Sequence, residues 1–127
     1  MNKEWVYLLD SVVLIDILNT RPQAKKWISS VSPSSLVISV VTLSEVLVGI
    51  KDEEQDLVKS FLNEFPCLSI DPVTAEAASR LRRQFKWKLM DAFQAALALE
   101  HKLTLITRNS KDFNSKVHPF VKTPYSI

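Results

Sequence analysis

Short apolar segments alternate along the chain with segments whose apolar residues recur every three or four positions. The first pattern is typical of buried strands and the second of amphipathic helices. Strands are predicted at residues 5–9, 36–40, 67–70 and 104–106, with a weaker one near 117–121. Helices are predicted at residues 12–18, 22–31, 42–50, 53–65, 72–85 and 90–101. This alternation predicts an α/β fold, a three-layer α/β/α sandwich around a five-stranded, mainly parallel sheet.

The composition limits how such a fold can bind a ligand. The 127 residues, 46% of them hydrophobic, are expected to form a single domain over residues 1–127. Gly49 is the only glycine, which excludes the glycine-rich loops that bind dinucleotides or phosphates through backbone groups. A ligand is therefore expected to be held by side chains, and in a parallel sheet the expected place is the carboxyl ends of the strands.

Cellular location is predicted from the absence of export signals. Cys67 is the single cysteine, so no intramolecular disulfide is expected. The first apolar run contains Asp10 and Asp16 and has no small-residue cleavage site, so it predicts neither a signal peptide nor a membrane span. A cytoplasmic protein without membrane contact is expected.

Four acidic residues are candidates for a shared site, although each has a simpler structural explanation. Asp10 and Asp91 lie at predicted helix starts, Thr42 to Glu45 fits a capping box, and Asp112 lies in a polar stretch. Placed together in one crevice, these carboxylates would repel one another unless a cation is bound. Oxygen ligands without sulfur or nitrogen select Mg²⁺ or Mn²⁺, and such a metal activates water for phosphodiester cleavage.

Four sequence blocks carry a resemblance to a known family. The blocks are LLDSVVLIDIL, VVTLSEVLVGI, KLMDAFQAALAL and LTLITRNSKDF, and together they extend over most of the chain. They resemble the signature blocks of PIN-domain ribonucleases, and within that family the VapC toxins of toxin–antitoxin modules. The resemblance implies a Mg²⁺-dependent endoribonuclease, a hydrolase that acts on an RNA substrate. It also implies a homodimer that is inhibited by a cognate antitoxin protein.

The resemblance also assigns roles to individual residues. Asp10, Glu45 and Asp91 match the family's three firmest acidic positions, as catalytic and metal-binding residues. For the fourth acid, Asn109 occupies one of two family positions and Asp112 the other, so Asp112 is assigned as the charged ligand and Asn109 as a group that orients water. Ser11 and Thr107 match hydroxyl residues that orient the acids, and ordinary capping or turn bonds explain them equally well. Gln94 departs from the family pattern, which usually has an aliphatic residue there.

Basic residues concentrated before Asp91 suggest where RNA binds. The formal net charge is only +2, yet residues 79–88 contain five cations and no acid. The predicted RNA contacts are Arg82, Arg83, Lys86 and Lys88, together with Arg108 beside the fourth strand. The alternative is a solvated helix end, because cations are favoured in the last turn of a helix.

Two other functions remain open from the sequence alone. In a phospho-accepting receiver module, Asp71 would be the acceptor, with Thr107 and Lys122 as its partners, but Glu45 and Asp91 would then have no task. A non-catalytic scaffold that binds nucleic acid is the second, since a fold does not by itself establish an activity.

Overall fold

All five predicted strands form, and they pair into one parallel sheet. The computed structural model describes residues 4–127, with strands β1 Tyr7–Leu9, β2 Leu36–Ser39, β3 Cys67–Leu68, β4 Thr104–Ile106 and β5 Val121–Lys122. Their order across the sheet is β3-β2-β1-β4-β5, and every pairing is parallel. The fifth strand lies slightly later than predicted because turns precede it, in which Val117 and His118 both donate backbone N–H groups to the carbonyl of Asn114.

The predicted helices form as well, with small changes at their ends. They are α1 Ser11–Leu18, α2 Pro22–Ser29, α3 Val40–Val48, α4 Gln55–Leu62, α5 Pro72–Phe85 and α6 Leu89–Glu100. Short 3₁₀ turns at Pro33–Ser35 and Asp52–Glu54 precede β2 and α4. In the part of the chain that the structure describes, no helix is long and apolar enough to cross a membrane.

Helix α3 begins two residues earlier than predicted, which removes the proposed capping box. Its N-cap is Ser39, whose hydroxyl accepts the backbone N–H of Thr42 at 3.2 Å. The Thr42 hydroxyl instead donates to the carbonyl of Leu9 at 3.0 Å and so ties α3 to the end of β1. The capping-box explanation of Glu45 is therefore wrong, because Glu45 lies in the second turn of the helix.

The predicted three-layer α/β/α sandwich is confirmed by the way strand residues alternate between two cores. Successive strand side chains point to opposite faces of a sheet. One face packs against α5 and α6, through a core that includes Leu8, Val37, Leu105, Ala95 and Leu97. The other face packs against α1, α3 and α4, through a core that includes Leu9, Ile38, Ile106, Val13, Val46 and Val58. The sheet is thus covered by helices on both sides.

The strand order places a topological switch point between β1 and β4. The chain proceeds from β1 outward to β2 and β3, then returns to the other side of β1 to form β4. Ligands of open α/β sheets bind beyond the carboxyl ends of the strands at such a point. Asp10 directly follows β1 and Thr107 directly follows β4, so both lie at this position.

The same order contradicts the receiver hypothesis. In the doubly wound order typical of receiver modules, the third strand lies between the first and the fourth, whereas here β3 is the edge strand beyond β2. The Asp71 carboxylate accepts the backbone N–H of Thr74 at 2.9 Å and its hydroxyl at 3.0 Å. Asp71 is thus the N-cap of α5, and its interpretation as a phospho-acceptor is wrong.

Candidate active site

A cleft of about 540 Å³ opens at the carboxyl ends of β1 and β4. Residues from four separate regions of the chain line it: the start of α1, the middle of α3, the start of α6 and the segment after β4. Most of the predicted site residues are among them, namely Asp10, Ser11, Glu45, Lys88, Asp91, Arg108 and Asn109. The fold therefore brings together side chains that are up to about a hundred residues apart in the sequence.

Asp10 is the most firmly held of the acids. It is 8% exposed, and its Oδ1 accepts the backbone N–H of Ser11 at 2.9 Å, which makes it the N-cap of α1. Its Oδ2 accepts the hydroxyl of Thr107 at 2.6 Å. Asp10 can therefore cap α1 and line the cleft at the same time, because Oδ1 accepts the N–H of Ser11 while Oδ2 accepts the hydroxyl of Thr107, which follows β4.

Glu45 reaches the cleft from α3 and is oriented by Ser11. The Ser11 hydroxyl donates to Oε1 of Glu45 at 3.1 Å. Burial raises the pKa of Glu45 above its usual value and the nearby charge of Asp10 raises it further, while the hydrogen bond from Ser11 acts in the opposite direction. Ser11 therefore connects the carboxylate on α3 to the one that ends β1.

Asp91 lies in the first turn of α6, where the helix dipole favours a negative charge. Burial nevertheless raises its pKa to about 6, and the charges of Asp10, Asp112 and Glu45 add to the effect, opposed by Lys88. The other three acids selected from the sequence thus all raise the pKa of Asp91. A bound cation would relieve this repulsion.

The two candidates for the fourth position, Asn109 and Asp112, lie differently with respect to the cleft. Asn109 lines the cleft, whereas Asp112 lies outside its lining. The two side chains are joined, because Nδ2 of Asn109 donates to Oδ2 of Asp112 at 3.2 Å and the Asp112 backbone N–H donates to Oδ1 of Asn109 at 3.4 Å. Asn109 also donates its backbone N–H to the hydroxyl of Thr107 at 3.0 Å. Asp112 therefore acts on the cleft through its charge and through Asn109.

The donor set matches Mg²⁺ or Mn²⁺ in chemistry and charge. Asp10, Glu45 and Asp91 offer carboxylate oxygens, the ligands that hard divalent ions prefer. Among residues 4–127, however, no three His, Cys, Asp or Glu side chains already have an arrangement that would hold a metal ion. Binding one therefore requires the side chains to adjust, most simply those of Glu45 and Asp91, which carry fewer hydrogen bonds than Asp10.

The predicted RNA contacts on α5 differ in their freedom to bind. Arg82 donates from Nη1 to the carbonyl of Trp87 at 2.6 Å, and Trp87 itself is a core residue, 4% exposed. Arg83 and Lys86 are exposed at the end of α5, where Lys86 adopts a left-handed conformation that ends the helix. Lys88 lines the cleft beside Asp91. Arg82 thus has a structural partner, and the other three remain available to a ligand.

Arg108 lines the cleft but is already engaged by a residue that the sequence analysis did not select. Its guanidinium donates to both carboxylate oxygens of Asp16, and the hydroxyl of Tyr125 donates to the same carboxylate. The two bonds to Asp16 use the Nε and Nη2 groups on one edge of the guanidinium. Arg108 is therefore a cation that lines the cleft and is held in place by Asp16.

The sequence did not predict a cluster of three buried polar side chains that contacts Asp10. Ser39, Thr42 and Gln94 are buried and hydrogen-bonded to one another, and Gln94 also contacts Asp10. The available signal was a glutamine within the apolar stretch AFQAALAL, where a polar residue at a buried position needs partners.

Comparison with known proteins places this chain in a family. The chain matches the family model of the PIN domain over residues 7–117. Its structure is similar to a toxin–antitoxin complex from Klebsiella pneumoniae, with 39% sequence identity, a TM-score of 0.87, and coverage of 95% of this chain and 99% of that one. No curated protein sequence matches this chain.

Two more distant solved structures share the fold. FitAcB from Neisseria gonorrhoeae is 22% identical with a TM-score of 0.81, over 96% of this chain and all of that one. VapBC2 from Rickettsia felis, bound to a promoter DNA fragment, is 21% identical with a TM-score of 0.74, over 92% and 97%. With the family model covering most of the chain and the Klebsiella relative matching along nearly all of it, the protein belongs to the PIN-domain family, whose members are generally nucleases.

Proposed function

We propose that the protein is a divalent-metal-dependent endoribonuclease. The single observation that carries the proposal is the convergence of Asp10, Glu45 and Asp91 in one cleft, where burial and the charges of the neighbouring acids raise the pKa of Asp91 to about 6. Acids clustered at the switch point of an α/β sheet provide the oxygen ligands that Mg²⁺ or Mn²⁺ prefers, at the place where such folds bind ligands. Family membership supports nuclease chemistry, and the choice of RNA as substrate rests on the resemblance to VapC-type members.

In the proposed mechanism the protein supplies ligands and orientation. The carboxylates of Asp10, Glu45 and Asp91 would hold the metal, with Asn109 at the edge of the cleft orienting water. When bound, a divalent metal lowers the pKa of water and neutralises the charge that develops on a phosphodiester. Thr107 and Ser11 hold Asp10 and Glu45 in place through their hydroxyl groups. Without that restraint each acid would have to give up side-chain freedom whenever it binds a cation.

The cations around the cleft fit the path of an RNA backbone. Lys88 and Arg108 both line the cleft, and Arg83 and Lys86 are exposed on the neighbouring end of α5. Cations at these points would attract phosphates towards acids that alone would repel them. The basic stretch thereby offsets the electrostatic disadvantage of an acidic centre that acts on an anionic substrate.

We further propose that the chain is the toxin of a toxin–antitoxin pair. The proposal is supported by the Klebsiella relative, which was solved as a toxin–antitoxin complex, and by the same architecture in VapBC structures. An antitoxin segment that carries an arginine would complement the acids of the cleft by acting as a substitute cation. Expression of the protein in a bacterium is expected to arrest growth, and expression of Asp10→Asn is expected to leave it unaffected. Normal growth with an active wild-type enzyme would contradict the toxin role.

Cleavage of purified RNA with and without a chelator tests the nuclease proposal. The wild type is expected to cleave structured RNA in Mg²⁺ and to stop in excess EDTA, with activity restored by added Mn²⁺. Asp10→Asn is expected to be inactive, whereas Asp56→Asn, a control that removes an exposed carboxylate on α4, is expected to retain activity. Cleavage that persists in EDTA would contradict the mechanism. Binding of RNA without cleavage by the wild type, unchanged in Asp10→Asn, would favour the scaffold alternative.

A further inference from the structure

Gln94 is a buried amide behind the acidic cleft. It lies in the middle of α6, is 1% exposed, and shares that helix with several buried alanines. A primary amide carries two N–H donors and one carbonyl acceptor, and burying them without partners is strongly unfavourable. Its presence at this position therefore calls for a specific set of partners.

The three hydrogen bonds of Gln94 connect α6 to the end of β1 and to the start of α3. Its Oε1 accepts the hydroxyl of Ser39 at 2.6 Å. Its Nε2 donates to Oγ1 of Thr42 at 2.8 Å and to Oδ1 of Asp10 at 3.3 Å. Each N–H and the carbonyl thus has a partner, and one of those partners is an acid of the cleft.

The amide has only one orientation that satisfies this environment. The Thr42 hydroxyl donates its proton to the carbonyl of Leu9, so its oxygen is left as an acceptor. The Asp10 carboxylate is an acceptor when ionised. A rotated amide would direct Oε1 at both of these oxygens. The NH₂ group must therefore face Asp10 and Thr42, with the carbonyl facing Ser39.

We propose that Gln94 is a positioning residue that fixes Asp10 for binding a divalent cation. The inference rests on the function proposed above. The amide of Gln94, on α6, donates to Oδ1 of Asp10, and the hydroxyl of Thr107, after β4, donates to Oδ2. The carboxylate is therefore held from two separate elements, and it cannot rotate without losing these hydrogen bonds. Residues that orient metal ligands in this way typically alter metal affinity about 10- to 100-fold when they are replaced.

Binding of Mn²⁺ alone, in the absence of RNA, tests this role on the full chain. The dissociation constant is measured by isothermal titration calorimetry for the wild type, Gln94→Leu and Gln94→Met, each first shown to be folded by circular dichroism. Gln55→Leu is the matched control, because the Gln55 amide also donates two hydrogen bonds, at 3.0 and 2.8 Å, but to carbonyls at the end of α3. A purely structural role would lower the melting temperature of both kinds of variant and change the Mn²⁺ affinity of neither.

The expected result is Mn²⁺ binding about tenfold weaker in both Gln94 variants and unchanged in Gln55→Leu. If either Gln94 variant fails to fold, Thr42→Val removes a partner of the amide and is expected to weaken binding in the same direction by a smaller factor. Wild-type affinity in a folded Gln94 variant would overturn the inference and leave the proposed function standing. Absence of saturable Mn²⁺ binding by the wild type would overturn the proposed function and this inference together.

Discussion

Arg108 and Asp16 form a bidentate ion pair beside the cleft. Nε of Arg108 lies 2.7 Å from Oδ2 of Asp16, and Nη2 lies 3.1 Å from Oδ1. The Tyr125 hydroxyl donates to Oδ2 at 2.7 Å. Burial opposes ionisation of Asp16, but the hydrogen bonds from Arg108 and Tyr125 and the charge of Arg108 outweigh it and lower its pKa. The network joins α1, the segment after β4 and the C-terminal tail.

Removing the charge of Asp16 is expected to destabilise the protein. Asp16→Asn should lower the free energy of unfolding by about 2 kcal/mol, because hydrogen bonds to a charged group are lost and the Arg108 cation loses its partner. Tyr125→Phe, which removes one hydrogen bond, should lower it by about 1 kcal/mol. Urea unfolding at pH 7 measures both. Variants as stable as the wild type would show that the ion pair contributes nothing beyond its desolvation.

The raised pKa of Asp91 predicts an unusual pH dependence for the metal-free protein. The pKa is about 6 in the folded state and near 3.8 in the unfolded state, so folding favours the protonated form between these values. The contribution of Asp91 to stability is therefore greatest below pH 4 and falls as the pH rises through 6. Because Asp91 is partly exposed, solvent screening reduces this contribution to about 1 kcal/mol, so in EDTA the wild type should lose about 4 °C of melting temperature over this range relative to Asp91→Asn. Parallel melting curves for the two proteins would contradict this account.

The hydroxyl of Thr107 is expected to matter more than its methyl group. Thr107→Val removes the donor to Asp10 at nearly constant volume and should lower kcat/KM for RNA cleavage about 10- to 100-fold. Thr107→Ser keeps the hydroxyl and should retain most of the activity. Steady-state kinetics on a short RNA, with melting temperatures as the control for folding, distinguish the two. Equal losses in both variants would indicate packing and not orientation of Asp10.

The exposed cations at the end of α5 are expected to set the salt dependence of RNA binding. Each lost phosphate contact to single-stranded RNA should reduce the slope of log affinity against log salt by about 0.7. The double change Arg83→Gln and Lys86→Gln is thus expected to reduce it by about 1.4. Fluorescence anisotropy in EDTA measures binding without cleavage, with Lys59→Gln on α4 as the control for an exposed cation elsewhere. An unchanged slope would place the RNA on another surface.

The sequence was sufficient to predict the fold, because the patterns of its elements are local, and to predict that Asp10, Glu45 and Asp91 meet in one cleft. Asp10 follows one short apolar run and Thr107 follows another. Because the carboxyl ends of parallel strands lie at one edge of a sheet, the topology brings these two residues close together. The alternation of strands and helices likewise predicted the layers. Only the boundaries shifted, as at α3, where Ser39 rather than Thr42 is the cap.

The partners of individual side chains could not be predicted in the same way. Arg108 pairs with Asp16, 92 residues earlier, whereas the sequence predicted only a phosphate contact for this arginine. Gln94 reaches Asp10 only because of the rotation of α6 about its axis and its packing on the sheet. Which side of a loop each residue occupies depends on its hydrogen bonds, which is why Asn109 lines the cleft while Asp112 lies behind it.

The position of a bound metal tests the central claim most directly. A crystal of the protein soaked in Mn²⁺ and measured near the manganese absorption edge reveals the ion by its anomalous scattering. The account predicts an anomalous peak in the cleft within about 2.3 Å of carboxylate oxygens of Asp10 and of Glu45 or Asp91, and no such peak in crystals of Asp10→Asn. A cleft without a peak under saturating Mn²⁺, or a peak only at other residues, would contradict it.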